Sequence, residues 1–319
     1  MTSSLRLPLW ILGISVIIAI VAGGITAAVM AAGNAPSDEV PASVISADTR
    51  MGAVELKTSN IEAMTDYYGP DGVGLSVLGE EGGIRSLGVD GEELIRLVPT
   101  DAELAAPTEA GLYHTAILFP DAPALAGTLA QLASTYPGLY GGSADHAVSH
   151  AFYFGDPEGN GVELYVDTPR EDWVWEDGYV QMGSEPLDIN RFINDNLGED
   201  STGEATMGHV HLKVGNLEQA EAFYGDTLGF AVTARANGAI FLSAGGYHHH
   251  LAANTWGSAG AGVRSDSLGL GSLEVVVPDA SELDAVASRL TDAGLEFEQT
   301  DAAITVADPW GTVVELSAK

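Results

Sequence analysis

Two well-separated segments repeat one another: MGAVELKTSNIEAMTDYYG, beginning at Met51, and MGHVHLKVGNLEQAEAFYG, beginning at Met207. Aligned without a gap, they share Met, Gly, Val, Leu, Lys, Asn, Glu, Tyr and Gly. DPEGNGVELYVD at Asp156 returns as DPWGTVVELSAK at Asp308, and YHTAILFPD ending at Asp121 returns as GSLEVVVPD ending at Asp279. Such self-similarity marks copies of one supersecondary unit. Each half divides again into two units. A unit opens with a strand such as HVHLKV, followed by an amphipathic stretch such as NLEQAEAFYGDTLGF, where Asn216 suits an N-cap and Glu218 falls in the first turn. Gly-punctuated strands follow, FAVTARA and AIFLSAG among them, and then a last strand after a tight turn. The unit is βαβββ. The fold class is therefore α+β, four units pairing into two cup-shaped sheets, each able to hold a small ligand or metal. Chain order suggests pairing within each half: an N-terminal domain over 51–170, a connection over 171–206 and a C-terminal domain over 207–319.

At 319 residues and 46% hydrophobic, the chain can build two cores. Its net charge of −33, from 12 Lys+Arg against 45 Asp+Glu, excludes nucleic acid and anionic membrane as partners of the folded body. Cysteine is absent, so a transition-metal site has to be built from His and carboxylates. Between Arg6 and Asp38 there is no charge, and LWILGISVIIAIVAGGITAAVMAAG is long enough to cross a bilayer. Residues 1–33 are thus expected to be a membrane anchor or an export signal. The length favours an uncleaved anchor, whereas the small residues of VMAAGNA suit a peptidase. With Arg6 on the short side, the body is expected outside, membrane-anchored or secreted. Residues 34–50 read as a linker, so a chain starting at about Asp48 is expected to fold.

MGHVHLKVGNLEQAEAFYGDTLGF, LSAGGYHHHLAANTW and DPWGTVVEL resemble the vicinal oxygen chelate superfamily, and within it the two-domain catechol-2,3-dioxygenase type. The resemblance runs from Met51 to Lys319. It implies extradiol cleavage of a small aromatic diol by O2, with Fe(II) or alternatively Mn(II) held by two His and one Glu. The uncharged N-terminal segment is a departure from that family.

Matching GGYHHHL to WGTVVEL sets His250 opposite Glu315, so the expected ligands are His209, His250 and Glu315, with His248 as the alternative ligand or a substrate-orienting group. Strand alternation sends His249 to the other face. His211, deeper on the face of His209, is expected to act in acid/base chemistry or as a hydrogen-bond donor. A lone strand histidine is most often structural, and the metal reading rests on His209 and Glu315 falling where the repeats pair. In the N-terminal half His114 and Glu163 occupy ligand-like positions. Ala53, Glu55 and Arg96 stand where imidazoles would be needed, so this half reads as a degenerate copy, with His146 and His150 structural. Two other classes stay open. A glyoxalase-type isomerase or lyase would want a fourth protein ligand, for which Ser272 is a poor substitute, and a metal-free binding module would need none. Homo-oligomerisation stays open as well.

Overall fold

The computed structural model describes residues 39–198 and 203–319. The membrane or signal segment expected over 1–33 lies outside them. Among the described residues no helix is long and apolar enough to cross a membrane.

The first unit comprises β1 (Arg50–Thr58), α1 (Ile61–Tyr68), β2 (Ser76–Glu81), β3 (Ile84–Val89) and β4 (Glu92–Pro99), and the second β5 (Gly111–Leu118), α2 (Ala122–Thr135), β6 (Tyr140–Asp145), β7 (Ser149–Gly155) and β8 (Gly161–Asp167). The connection carries β9 (Trp175–Glu176), β10 (Tyr179–Val180), β11 (Glu185–Pro186) and α3 (Ile189–Asn196). The third unit comprises β12 (Thr206–Lys213), α4 (Leu217–Ala220) running into a π-helical turn over Glu221–Thr227, β13 (Ala231–Ala236), β14 (Ala239–Ser243) and β15 (Leu251–Asn254). The fourth has β16 (Gly269–Val277), α5 (Ala280–Asp292), β17 (Phe297–Gln299), β18 (Ala303–Ala307) and β19 (Val313–Ala318). Every unit starts its helix on a carboxamide or carboxylate. Asn60, Asp121, Asn216 and Asp279 each accept a first-turn backbone N–H at 2.8–3.1 Å, which satisfies donors the helix leaves open.

The units do not pair within each half. One sheet runs β17-β18-β19-β16-β1-β4-β3-β2, joining the first unit to the fourth, and the other runs β11-β6-β7-β8-β5-β12-β15-β14-β13, joining the second to the third. Their central pairs are β1 with β16 and β5 with β12, both antiparallel. Each cup therefore draws on both halves of the chain, and the segments 51–170 and 207–319 do not close separate cups. Backbone pairing through first strands is available to any two units, so local pattern does not choose the partner.

The repeated motifs tie each half together in another way. Asp156 Oδ1 accepts the backbone N–H groups of Glu158 and Asn160 at 2.9 Å, and its Oδ2 accepts Tyr68 Oη–H at 3.1 Å. Asp308 repeats this with Trp310 and Thr312 at 2.9 and 2.8 Å, and with Tyr224 at 2.9 Å. Burial raises the pKa of both carboxyls, partly offset by these bonds. Tyr224→Phe should therefore cost about 1–2 kcal/mol, measured as a lower urea midpoint at an unchanged slope.

The described part of the segment expected as a linker, 39–50, is packed. Ile45 is 1% exposed, and the N–H groups of Val44 and Ile45 both donate to the Gly229 carbonyl at 2.8 and 2.9 Å. The 171–198 connection also covers protein, Phe192 stacking on Phe152 at 4.8 Å and Trp173 lying 5.2 Å from the His248 ring.

Candidate metal centre

On the concave side of the second sheet, Ala116 of β5 stands level with both Glu163 of β8 and His209 of β12. His114 lies one step along β5 on the same face, level with His211. Because Ala116 contributes only a methyl group, the longer side chains around it lean into the space above. His114 Nε2 comes 3.0 Å from Glu163 Oε2, His209 Nε2 3.3 Å from the same oxygen, and the two nitrogens are 3.3 Å apart. All three residues are buried, with ligand atoms within 4.8 Å of one another. Gly208 makes room for this, since a Cβ there would meet Tyr165 Oη at 1.9 Å.

Burial alone would raise the Glu163 pKa, but its hydrogen-bond partners His209 and His114 hold it well below the usual carboxylate range. Desolvation lowers His209 to about 4, against the opposing pull of Glu163. At neutral pH the group is thus the Glu163 carboxylate, the neutral imidazole of His209 and the imidazole of His114. That donor set suits a divalent first-row metal, and the residues fit such an ion.

The structure brings together only one of the three expected ligands. His209 joins His114 and Glu163, the two ligand-like residues assigned above to a degenerate copy. Glu315 lies in the other sheet, 4.0 Å from Arg96 Nη1, where Arg96 also holds Glu93 at 2.6 Å. His250 is occupied by structure: Ser243 Oγ stands 3.0 Å from its Nδ1, and the Ala244 N–H donates to that atom at 3.2 Å. The cause is local. Gly245 and Gly246 take φ of +60° and +67°, so His248 to His250 form a loop ahead of β15, and alternation does not govern their directions. His249 accordingly packs on the His209 ring, centroids 4.1 Å apart, instead of facing away.

His248 uses both ring nitrogens. Its Nε2 lies 3.0 Å from Asp167 Oδ1 and its Nδ1 2.8 Å from His249 Nδ1. Asp167 can only accept, which places the His248 proton on Nε2. In the neutral pair His248 Nδ1 then accepts from His249, leaving His249 Nε2 as a lone-pair nitrogen. Asn254 fixes His211 by the same logic. Its Oδ1 accepts the Trp256 N–H at 2.9 Å, so its amide donates to His211 Nε2 at 3.0 Å and the His211 proton resides on Nδ1. Burial lowers the pKa of His211 and His249 well below that of a free imidazole. His146 is engaged by the Gly183 carbonyl and Tyr153 Oη, both at 2.7 Å, while His150 lies 3.6 Å from Asp145.

A register shift between His211/His114 and Leu212/Leu112 adds Tyr113 to the cup. Its ring lies 4.8 Å from His211 and 5.6 Å from Trp256, making an aromatic wall beside the triad.

Buried neutral histidines make the metal-free protein acid-labile. His250 is lowered to about 3 by burial, and His209 to about 4. The unfolded chain takes up these protons near pH 6.5 and the folded chain does not, so the stability present above pH 6.5 is lost as pH falls toward about 4 and then about 3. Each such group should contribute a slope of up to about 1.4 kcal/mol per pH unit in that window. Melting of metal-free protein across pH 7 to 4 checks this, and His250→Gln should flatten the slope.

Two βαβββ units closing one sheet around two imidazoles and a carboxylate define a candidate divalent-metal centre of the α+β class. The glyoxalase/bleomycin resistance protein/dioxygenase superfamily model matches residues 206–316. A catechol-2,3-dioxygenase of Bacillus subtilis (strain 168) is 36% identical over 272 residues, spanning 82% of this chain and 94% of that protein. The biphenyl-2,3-diol 1,2-dioxygenase 2 of Rhodococcus globerulus is 31% identical over 159 residues, 46% of this chain and 78% of that one. Among solved structures, glyoxalase I from Zea mays shares the fold at a TM-score of 0.56 and 16% identity, over 85% of this chain and 92% of that one. The chain belongs to the glyoxalase/bleomycin resistance protein/dioxygenase superfamily.

Proposed function

We propose that this chain is an extradiol ring-cleaving dioxygenase acting on a catechol-type aromatic with O2, with His114, Glu163 and His209 holding Fe(II) or alternatively Mn(II). The observation that carries the reading is the convergence of two imidazoles and one carboxylate within 4.8 Å. Similarity to proteins named as catechol and biphenyl-2,3-diol dioxygenases supports it. When bound, such an ion supplies a Lewis-acid centre that acidifies the diol and gathers it with O2. His249 Nε2 is the base that takes a hydroxyl proton, and Asp167 through His248 sets the tautomer that leaves this nitrogen its lone pair. His248 is thus a positioning residue. His211, its tautomer set by Asn254, presents Nδ1–H as a donor. Tyr113 and Trp256 flank the ring.

The glyoxalase-type alternative meets an obstacle in the pairing. The β15 residue level with His211, as Glu163 is level with Ala116, is Ala252, which offers neither a fourth ligand nor a carboxylate base. The metal-free alternative predicts no retained ion. Protein loaded anaerobically with Fe(II) should hold about one ion per chain and consume O2 with catechols. Metal content without O2 uptake would sink the dioxygenase reading, and no retained metal would favour the binding module. The uncharged stretch over 7–33, with Arg6 before it, supports a membrane-anchored or secreted body. Protease added to intact spheroplasts should reach the acidic body, and protection there would refute export.

A further inference from the structure

Along β12 the cup face carries His209, His211 and then Lys213, and exposure rises from 1% and 4% to a half-buried lysine, so the cup opens in that direction. Lys213 is level with Gly111 of β5 and Asn254 of β15. Above Gly111 lies the guanidinium of Arg264, its Nη1 3.9 Å from where a Cβ on that glycine would stand. Two cations therefore stand side by side at the mouth. In so acidic a chain they are singular. Among the described residues every other Lys and Arg has a carboxylate within 4.0 Å, apart from Arg170, which stacks on Trp173 and Tyr247. Lys213 and Arg264 have none. Arg264 Nη2 donates to the Leu270 carbonyl, while its Nη1 is buried with no partner. The carboxylates of Asp308, Glu109 and Asp266 reach these cations only at longer range, Glu109 being hydrogen-bonded by Ser265 Oγ at 3.0 Å and Asp266 paired with Lys57 at 2.6 Å. A buried, unpaired guanidinium N–H is costly to leave unsatisfied.

We infer that Lys213 and Arg264 form a subsite for an anionic substituent, a carboxylate above all, on the ring of the aromatic diol. Lys213 lies about 7 Å along the strand beyond the level of His114, the triad residue nearest the mouth, about the reach of a phenyl ring whose diol end sits at the triad and whose far end carries the charge. Tyr113, Trp256 and Asn254 line the path between. The cations also offset the repulsion that a −33 body exerts on an anionic substrate. The inference rests on the dioxygenase reading for the diol end alone.

The test is anaerobic calorimetry on Zn(II)-loaded full-length protein with catechol, 3,4-dihydroxybenzoate, 3,4-dihydroxyphenylacetate and benzoate, alongside O2 uptake by the Fe(II) form. The two dihydroxy acids should bind ten- to a hundred-fold more tightly than catechol, the worth of one or two charge-assisted hydrogen bonds. In Lys213→Met that ratio should fall toward one, and Lys213→Arg should restore it. Added salt should weaken the acids more than catechol. Equal or weaker binding of the acids by the wild type, or a ratio unmoved in Lys213→Met, overturns the subsite. Benzoate binding that depends on Lys213, without turnover of any diol, would support the subsite and sink the dioxygenase reading. Turnover of catechol with no preference for the acids would do the reverse.

Discussion

Glu163→Gln is expected to strip the protein of its divalent ion and of ring cleavage together. Glu163 supplies the only formal negative charge among three buried ligands, and the amide that replaces it donates as well as accepts. Tightly held structural zinc is worth about 10–16 kcal/mol over four ligands, so one ligand carries about 3–4 kcal/mol. Affinity should therefore drop by two to three orders of magnitude. His114→Ala and His209→Ala should do as much. Glu315→Gln and His250→Gln should retain the ion, because Glu315 belongs to the other sheet and His250 is bonded to Ser243 and Ala244. Metal analysis of proteins purified without a His tag checks this. An Glu315→Gln protein without metal beside an Glu163→Gln protein with it would overturn the assignment.

The second large effect concerns the strap over 39–47. A chain beginning at Asp48 loses Ile45 from the core and both hydrogen bonds to Gly229. Burial of an isoleucine of this kind is worth about 2–5 kcal/mol and the bonds add somewhat less, so the loss should be about 3–5 kcal/mol. At this chain size that lowers the melting temperature by about 10 °C. The strap also roofs the histidine loop, with the Ala47 carbonyl against Gly245 and Val40 against Gly246. The shortened protein should bind metal and turn over slowly, since His248 and His249 lose their brace. A chain beginning at residue 39, which keeps the strap, is the reference and should melt higher than the chain beginning at Asp48. Equal melting of the two shortened chains would show that the strap contributes nothing.

The βαβββ units, their helix caps and the chemistry of the ligands were legible in the residues, because caps and periodicity are local. The pairing of units was not. A first strand offers the same edge to any other first strand, and the pattern is the same either way. One signal does discriminate: only the second and third units carry a histidine at the matching first-strand position, His114 and His209, where the first and fourth have Ala53 and Ser272. Choosing partners by that criterion joins the two histidines and brings Glu163 with them. The histidine triplet misled because two consecutive left-handed glycines end the strand before it, so a period of two no longer applied. The strap was illegible because Pro, Ser and Ala suit an exposed tether as well as a close-packed crossing.

The joining of the first unit to the fourth has a consequence for synthesis. Strand β1 exchanges backbone bonds with β16, Arg50 opposite Val276. At about 5–20 residues per second, the ribosome takes on the order of tens of seconds to deliver that partner. For this interval the nascent first unit presents an open apolar strand edge, the kind that seeds association between neighbouring chains. The second unit waits a shorter time for β12. The newborn protein should therefore depend on holding factors longest for its earliest segment, and slowing translation after β4 should raise its loss to aggregates more than slowing it after β16.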